Sequence, residues 1–547
     1  MKTSLLVLLC LIFSLLVQVI ALAQTNQQQF DSLTSAQFAK DGAGTVVYLS
    51  RGDQVLYQKA FGKANIELDV AMTPEHVFRL ASVTKQFTAV LILMLQEQGK
   101  LSIQDDIRKY IPDFPEKKKV ITIEALLTHT SGVVNYTGLP SFTDEIKLKG
   151  LSPRLLVDLV KSEPLDYDPG SDYKYSNSGY ILLGYIIEQI TGKSYAEFIE
   201  ETIFKPLEMT HSYYDTPTRI IFGRVSGYVQ RNGAYRNADY LSMSLPYAAG
   251  SLMSTAGDLQ KWYNGLHNCK LLKSEIIRKA QTSFKLNDGR LTGYGYGWET
   301  GNVQGSPSVK HVGVVNGFFT YAAYLPLENL SITILRNCDT PYEPDILASK
   351  LLAVALGKPY DYKPITLKSS ELEVFQGVYN IKNGRKHSVR LQDGNLMYYY
   401  LGGPKTRLVP NGKDQFLVEN SLNTFKFTRD EKGIVDGFTA SGTGMPSSAV
   451  RENTVLEAQP KINVSKTQLA KYTGKYQFNP GPVFEVVLEN NILYGQVGND
   501  RKELVPFDKH KFYARDLDAT IVFNVDNKGT AIGLTKIQNS NMVSKKL

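Results

Sequence analysis

From Leu372 onward the chain is written twice. Leu372-Glu-Val-Phe-Gln-Gly-Val-Tyr379 is answered by Leu469-Ala-Lys-Tyr-Thr-Gly-Lys-Tyr476, and Val389-Arg-Leu391 with Leu396 by Val486-Val-Leu488 with Leu493. Arg407-Leu-Val-Pro410 and Phe416 return as Glu503-Leu-Val-Pro506 and Phe512, and Phe427, Asp430 and Gly433 as Phe523, Asp526 and Gly529. A pattern that restarts in the same order describes two copies of one unit better than one long sheet. Within each copy, short alternating apolar runs are separated by turn residues and helical periodicity is missing, which predicts small antiparallel β units. Closing each into a barrel would remove its edge strands. The repeats are placed at 371–457 and 465–547.

The preceding region differs. From about Gly42 to Gly357 helix-like and strand-like segments mix. Thr45-Val-Val-Tyr-Leu-Ser50 and Gln54-Val-Leu-Tyr-Gln58 form a hairpin pattern around Arg51-Gly-Asp53, where Gly-Asp is ordinary turn chemistry. A second hairpin pairs Phe318–Leu325 with Leu330–Leu335, and a helix follows from Pro344 to Leu356. Strands at both ends with helices between them predict an α/β (α+β) domain over residues 24–358, with an antiparallel sheet built from both termini and a helical insertion. The polar, proline-bearing stretch Lys358-Pro-Tyr-Asp-Tyr-Lys-Pro364 marks the junction, and the linker is placed at 359–370.

Residues 1–23 read as a signal peptide: Lys2, an apolar run from Leu5, then the small-x-small site Ala21-Leu-Ala23. An uncleaved membrane anchor is the alternative, since the run is nearly long enough to span a bilayer. Cys10 follows Leu9, where lipid attachment would want a small residue. The expected location is therefore periplasmic or secreted, with no membrane span after cleavage. A formal charge of +8 over 547 residues is a mild excess, and no dense Lys/Arg block with interleaved aromatics argues for nucleic acid. The seven histidines are scattered and no Cys/His cluster has metal spacing, so no metal or cofactor is expected. Cys269 and Cys338 remain after cleavage, and an oxidising compartment would permit their pairing if they lie close enough.

Three short motifs carry chemistry. Ser82-Val-Thr-Lys85 opens an apolar helix, Val83 to Gln98, that Gly99 ends. Residues three apart share a helix face, so the Lys85 amine can reach the Ser82 hydroxyl and, with its pKa lowered by burial, take its proton. The same spacing recurs at Ser171-Asp-Tyr-Lys174, but after Pro169-Gly170 and without a helix. Tyr175-Ser-Asn177 precedes the helix Ile181 to Ile190. There Tyr175 could shuttle protons beside a lysine ammonium, and Asn177 could donate to a substrate carbonyl. Tyr235-Arg-Asn237 fits the same pattern, so that motif means little alone. His311-Val-Gly313 ends a strand-like stretch; Gly313 would let a substrate lie against the backbone, and the Val314 and Ser82 amides could form an oxyanion hole.

Taken in order, these motifs resemble those of the serine β-lactamase and penicillin-binding protein superfamily, in the branch holding class C β-lactamases, D-aminopeptidases, D-Ala-D-Ala carboxypeptidases and related esterases. The resemblance spans about Gly42 to Gly357 and includes Phe78-Arg-Leu-Ala-Ser-Val-Thr-Lys-Gln-Phe-Thr88, Leu126-Leu-Thr-His-Thr-Ser-Gly132, Pro169-Gly170 and Ala249-Gly-Ser-Leu-Met-Ser-Thr-Ala-Gly-Asp258. It implies a β-lactamase-like fold and an acyl-enzyme on Ser82, with His129 and Ser131 as supports of the cleft. The tandem repeats are similar to the paired lipocalin-like barrels that follow the catalytic domain of D-aminopeptidases. One departure bears on substrate. The lactamases and transpeptidases usually carry Lys-Thr-Gly where this chain has His311-Val-Gly313. A histidine there supplies a charge for a substrate carboxylate only when protonated, so acid pH near 6 would be expected to favour penicillins.

These readings converge on a serine hydrolase acting on small amides or peptides such as those containing D-amino acids. The residues named for it are Ser82, Lys85 and Tyr175 as catalytic groups, the amides of Ser82 and Val314 as oxyanion hole, and Asn177, His311 and Gly313 as substrate contacts. An esterase, a β-lactamase and a D-Ala-D-Ala carboxypeptidase of the same fold are the enzymatic alternatives. An idle scaffold binding peptides or peptidoglycan, or binding by the C-terminal β units, are the alternatives of another class.

Overall fold

The computed structural model describes residues 26–35, 37–38, 41–117, 119–339, 344–381, 386–400, 405–442, 447–452, 462–478, 483–498, 500–514, 519–537 and 541–547. The signal-peptide stretch therefore lies outside the described residues. Among the described residues no helix is long and apolar enough to cross a membrane. Packing divides the chain into one unit that runs to Asp361 and a second that begins at Tyr362.

The first unit is organised by a six-stranded antiparallel sheet. Its strands are β1 (Thr45–Arg51), β2 (Gln54–Phe61), β3 (Glu299–Val303), β4 (Ser306–Val315), β5 (Phe318–Leu325) and β6 (Leu330–Arg336), in the order β3-β4-β5-β6-β1-β2. The strand after the amino terminus thus pairs with the last one of the unit, Thr45 opposite Arg336 and Arg51 opposite Leu330. Both faces of the sheet are covered, which is why β5 is buried at every position. Alternate residues go to opposite sides. Val47, Leu49, Ile332 and Ile334 pack with Leu347, Leu351 and Leu352 of the carboxyl-terminal helix, while Val46, Tyr48, Ala322 and Leu335 belong to the large core on the other face.

That larger core contains helices α1 (Thr84–Glu97), α3 (Asn177–Thr191) and α4 (Ala256–His267), whereas α2 (Asp144–Lys149) has no buried residue and α5 (Pro344–Ala355) closes the opposite face. Helix α1 is buried nearly all round, from Thr84 to Leu93 and at Leu95, as a helix in the middle of a domain must be. It ends where the sequence says it should. Gly99 takes φ +69°, its amide donates to Gln96 O and that of Lys100 to Leu95 O, the paired bonds of a Schellman stop.

The second unit holds two closed eight-stranded barrels. The first runs from Gly377–Ile381 to Ser447–Arg451 and the second from Gly474–Phe478 to Asn541–Lys546. Closure comes from the first strand pairing the last, Tyr379 with Arg451 and Tyr476 with Lys546. The copies agree in detail. Tyr379 Oη donates to Phe375 O at 2.7 Å and Tyr476 Oη to Tyr472 O at 2.6 Å. Each barrel has an irregularity at the same place, between Pro410 and Gly412 and between Pro506 and Asp508. Their interiors are filled, by Tyr379, Phe416, Phe427 and Phe438 in one and Tyr476, Phe512, Phe523 and Leu534 in the other. This packing favours a solid core over a ligand-holding calyx for these rings.

Because the sheet-and-helix cores and the barrel cores share no residues, a chain stopped after Lys363 should fold by itself. The expected result is a soluble product with a single cooperative thermal transition and near-native far-ultraviolet circular dichroism. An insoluble or molten product would show that the units depend on each other.

Candidate active site

Ser82 sits on a short 3₁₀ turn, Ala81–Val83, that runs into α1. The turn is entered from a two-residue strand, Phe78–Arg79, paired with Leu252–Ser254. Ala81 bends the chain there with φ +48°, a conformation that costs a residue bearing a Cβ about 1 kcal/mol or more. Strand β4 packs directly onto this bend. A Cβ placed on Gly313 would lie 2.2 Å from Leu80 O and 3.2 Å from the Ala81 methyl. The side of Gly313 without a side chain is therefore occupied by the turn that carries Ser82, not left open for a substrate as the sequence suggested.

Lys85 is the centre of the site. Its Nζ lies 3.1 Å from Ser82 Oγ, 2.8 Å from Asn177 Oδ1 and 2.8 Å from Ala249 O. The faces of Tyr175 and Tyr180 lie 4.8 Å and 5.5 Å away. Burial pushes the amine well below the usual lysine range, since nothing here repays the loss of water around a charge. A neutral amine has two N–H groups and one lone pair. The Asn177 and Ala249 oxygens can only accept, so Lys85 donates to both, and in the neutral form its lone pair would be left to the Ser82 hydroxyl.

This inverts the proton arrangement expected for Tyr175. The sequence set it beside a lysine ammonium that would ease its ionisation. Instead burial drives the Tyr175 phenol far up, opposed only partly by the nearby Ser82 hydroxyl. The Tyr175 hydroxyl is buried and close to Ser82, yet without a well-formed hydrogen bond in the resting site. It is a protonated phenol placed beside an amine whose charged form burial disfavours.

His311 also differs from expectation. It is 1% exposed and faces inward. Its Nδ1 lies 2.7 Å from Val312 O, so that nitrogen carries the proton and donates it; Nε2, 2.9 Å away, then accepts from the Tyr294 hydroxyl. Burial, with Lys85 as a smaller cause, lowers its pKa to about 3. The ring is uncharged at pH 6 and pH 8 alike, so the expected acid switch is absent. His311 stands behind Tyr175, ring centres 6.1 Å apart, and His129 flanks Tyr175 at 4.4 Å and Tyr294 at 4.7 Å. His129 Nδ1 accepts from the Ser176 amide at 3.2 Å.

A cleft of about 670 Å³ opens at Ser82, lined by Asn177 and Val314 among others. The structure thus brings Ser82, Lys85, Tyr175 and Asn177 together, sets Val314 on the cleft wall, and puts His311 and Gly313 beneath it. The second Ser-x-x-Lys is elsewhere in role. Ser171 Oγ donates to Asp168 O and Lys174 pairs with Asp166. Cys269 is a free, exposed thiol while Cys338 is buried, so the two do not bridge. Two participants escaped the sequence reading. Tyr294 arrives through Tyr294-Gly-Tyr296-Gly-Trp298, whose Gly297 allows contact with the Lys85 carbonyl, 2.8 Å from where a Cβ would be; that glycine spacing was the available signal. The Ala249 carbonyl is backbone; Ala249 opens a stretch noted for its resemblance but given no role there.

A family model described as Beta-lactamase matches residues 30–357. Penicillin-binding protein 4* of Bacillus subtilis (strain 168) is 29% identical over 441 residues, covering 75% of this chain and 94% of its own length. Protein flp of Staphylococcus aureus (strain MRSA252) is 25% identical over 371 residues, 66% of this chain and 72% of its own. Among solved structures, the octameric penicillin-binding protein homologue from Pyrococcus abyssi superposes with TM-score 0.55 at 25% identity, covering 77% of this chain and 99% of that one. D-amino acid amidase from Ochrobactrum anthropi SV3 has the same fold, with TM-score 0.54 at 22% identity over 61% of this chain and 99% of its own. With the matched residues covering more than half of its length, the chain belongs to the Beta-lactamase family of serine hydrolases.

Proposed function

We propose that this hydrolase is exported and cleaves small amides and peptides, such as those containing D-amino acids, through an acyl-enzyme on Ser82. The observation that carries the reading is the hydrogen-bonding of Lys85, whose two acceptor oxygens leave its lone pair for the Ser82 hydroxyl. Ser82 Oγ attacks the substrate carbonyl as its proton passes to Lys85 Nζ. The amides of Ser82 and Val314 face the developing oxyanion, and the Asn177 NH₂ end donates to the substrate. Collapse of the tetrahedral adduct breaks the C–N bond; the Tyr175 hydroxyl protonates the departing amine and recovers its proton from Lys85. Water then attacks the ester with the same pair acting in reverse. Export rests on Lys2, the apolar run and Ala21-Leu-Ala23.

Substrate preference follows from charge. His311 is neutral and buried, and Lys147, which lines the cleft, pairs with Asp144 at 2.8 Å. A carboxylate beside the scissile bond, as in penicillins and D-Ala-D-Ala termini, therefore lacks a charge-assisted contact from His311, of the kind that contributes about 1.5–3 kcal/mol. Amides and esters without that carboxylate are favoured.

Three measurements test the reading. Hydrolysis of D-alanine p-nitroanilide should fall by several orders of magnitude in Ser82→Ala and persist in Ser171→Ala; equal losses would move the nucleophile. Lys85→Ala and Tyr175→Phe should each slow acylation severely, with the double variant little worse than either, because the groups act as one unit. Near-full amide turnover in Tyr175→Phe would leave Lys85 acting alone. Finally, Lys85 must be unprotonated to work, so log kcat/KM should climb with slope near one up to its lowered pKa and then level off. Penicillin acylation should follow the same curve; a rise on going from pH 8 to pH 6 would contradict a His311 that titrates near 3.

A further inference from the structure

Leu148, Tyr240 and Val314 are 59%, 56% and 55% exposed, and all three line the cleft that holds Ser82 and Asn177. Single apolar side chains scattered over a surface are ordinary. Three that converge on one concavity beside a nucleophile are a wall. Leu148 is not among the side chains packed against the core, and the helix that bears it, α2, has no buried residue. The wall is nevertheless held firmly, from three separate stretches of chain. The Phe142 ring meets Tyr136 edge-on at 5.0 Å. The Ser242 amide donates to Lys147 O at 2.9 Å and the Leu151 amide to Ser244 Oγ at 3.2 Å. Asn316 Nδ2, at the end of β4, donates to Asp239 O at 2.9 Å, which fixes the segment carrying Tyr240.

We propose that this wall is a subsite for a large apolar group of the substrate, an aromatic ring or branched aliphatic chain carried by an amide or ester that acylates Ser82. The proposal rests on Ser82 being the nucleophile. The group sits against Leu148, Tyr240 and Val314 and takes their exposed surface out of water. Covering a side chain of that size is worth roughly ten- to a hundred-fold in affinity or kcat/KM. Bulk on the substrate is then selected alongside the absence of a carboxylate.

Calorimetry on Ser82→Ala protein, which keeps the cleft but cannot turn over, tests the subsite without catalysis. The probes are D-phenylalanine amide, D-alanine benzylamide and D-alanine amide. At least one phenyl-bearing compound should bind about tenfold or more tightly than D-alanine amide, and which one gains tells whether the apolar group lies in the acyl or the leaving part. Leu148→Ser and Tyr240→Ser, both at exposed positions, should remove most of that gap, and Leu148→Phe should preserve it. Equal affinity for all three probes, or a gap that survives both serine variants, overturns the subsite. The companion measurement is kcat/KM of wild type on the same compounds. Selective phenyl binding without any hydrolysis would sink the catalytic reading and leave the subsite standing. Hydrolysis of D-alanine amide with no gain from a phenyl group would do the reverse.

Discussion

The site depends on a lysine that has been denied a counter-ion. Lys85 is fully buried, and its polar partners are a hydroxyl, an amide oxygen and a backbone carbonyl. A carboxylate in place of any of these would hold the proton on the amine and leave Ser82 with no base. The surrounding rings serve the same end. Tyr175 and Tyr180 supply low-dielectric packing against Nζ, and the histidines beyond them, with pKa values lowered by the same burial, add no charge of their own. Stability is spent here on chemistry, since a buried polar network returns little unless every member is satisfied.

Geometry around that lysine is set by close approach more than by hydrogen bonds. Ala81 in a left-handed conformation turns Ser82 toward the cleft, and the bare side of Gly313 lets strand β4 press on that turn. The left-handed bend survives because packed neighbours over-determine it. The same contact brings Val314 to the cleft wall, so one missing side chain sets both the Ser82 turn and the strand end across from it.

Much of this was legible in the sequence, and the boundary between what was and what was not is physical. Local grammar was readable: the start of α1 near Ser82, its stop at Gly99, both hairpins, and the restart of the β pattern at Leu469. Residues three apart on one helix must meet, so Ser82 and Lys85 paired on paper. His311 was misjudged because strand alternation says which residues share a face and not what covers that face. Tyr294, far along the chain, turned out to be its lid. The charge state of Tyr175 failed for a related reason, as it depends on whether its lysine neighbour is itself charged. Ala249 contributes through a carbonyl that every residue possesses.

The way the barrels close bears on how such a chain is assembled. In each, the first strand is hydrogen-bonded to the last, Tyr379 beside Arg451 and Tyr476 beside Lys546. This is the pairing with the longest stretch of chain to close, and the neighbouring hairpins shorten that closure. It also leaves the entry and exit points of each barrel adjacent in space. A unit whose ends meet can be copied in tandem, or spliced into another chain, without a connector that must reach across it. Gene duplication would then have had little geometric resistance to overcome in producing the second copy.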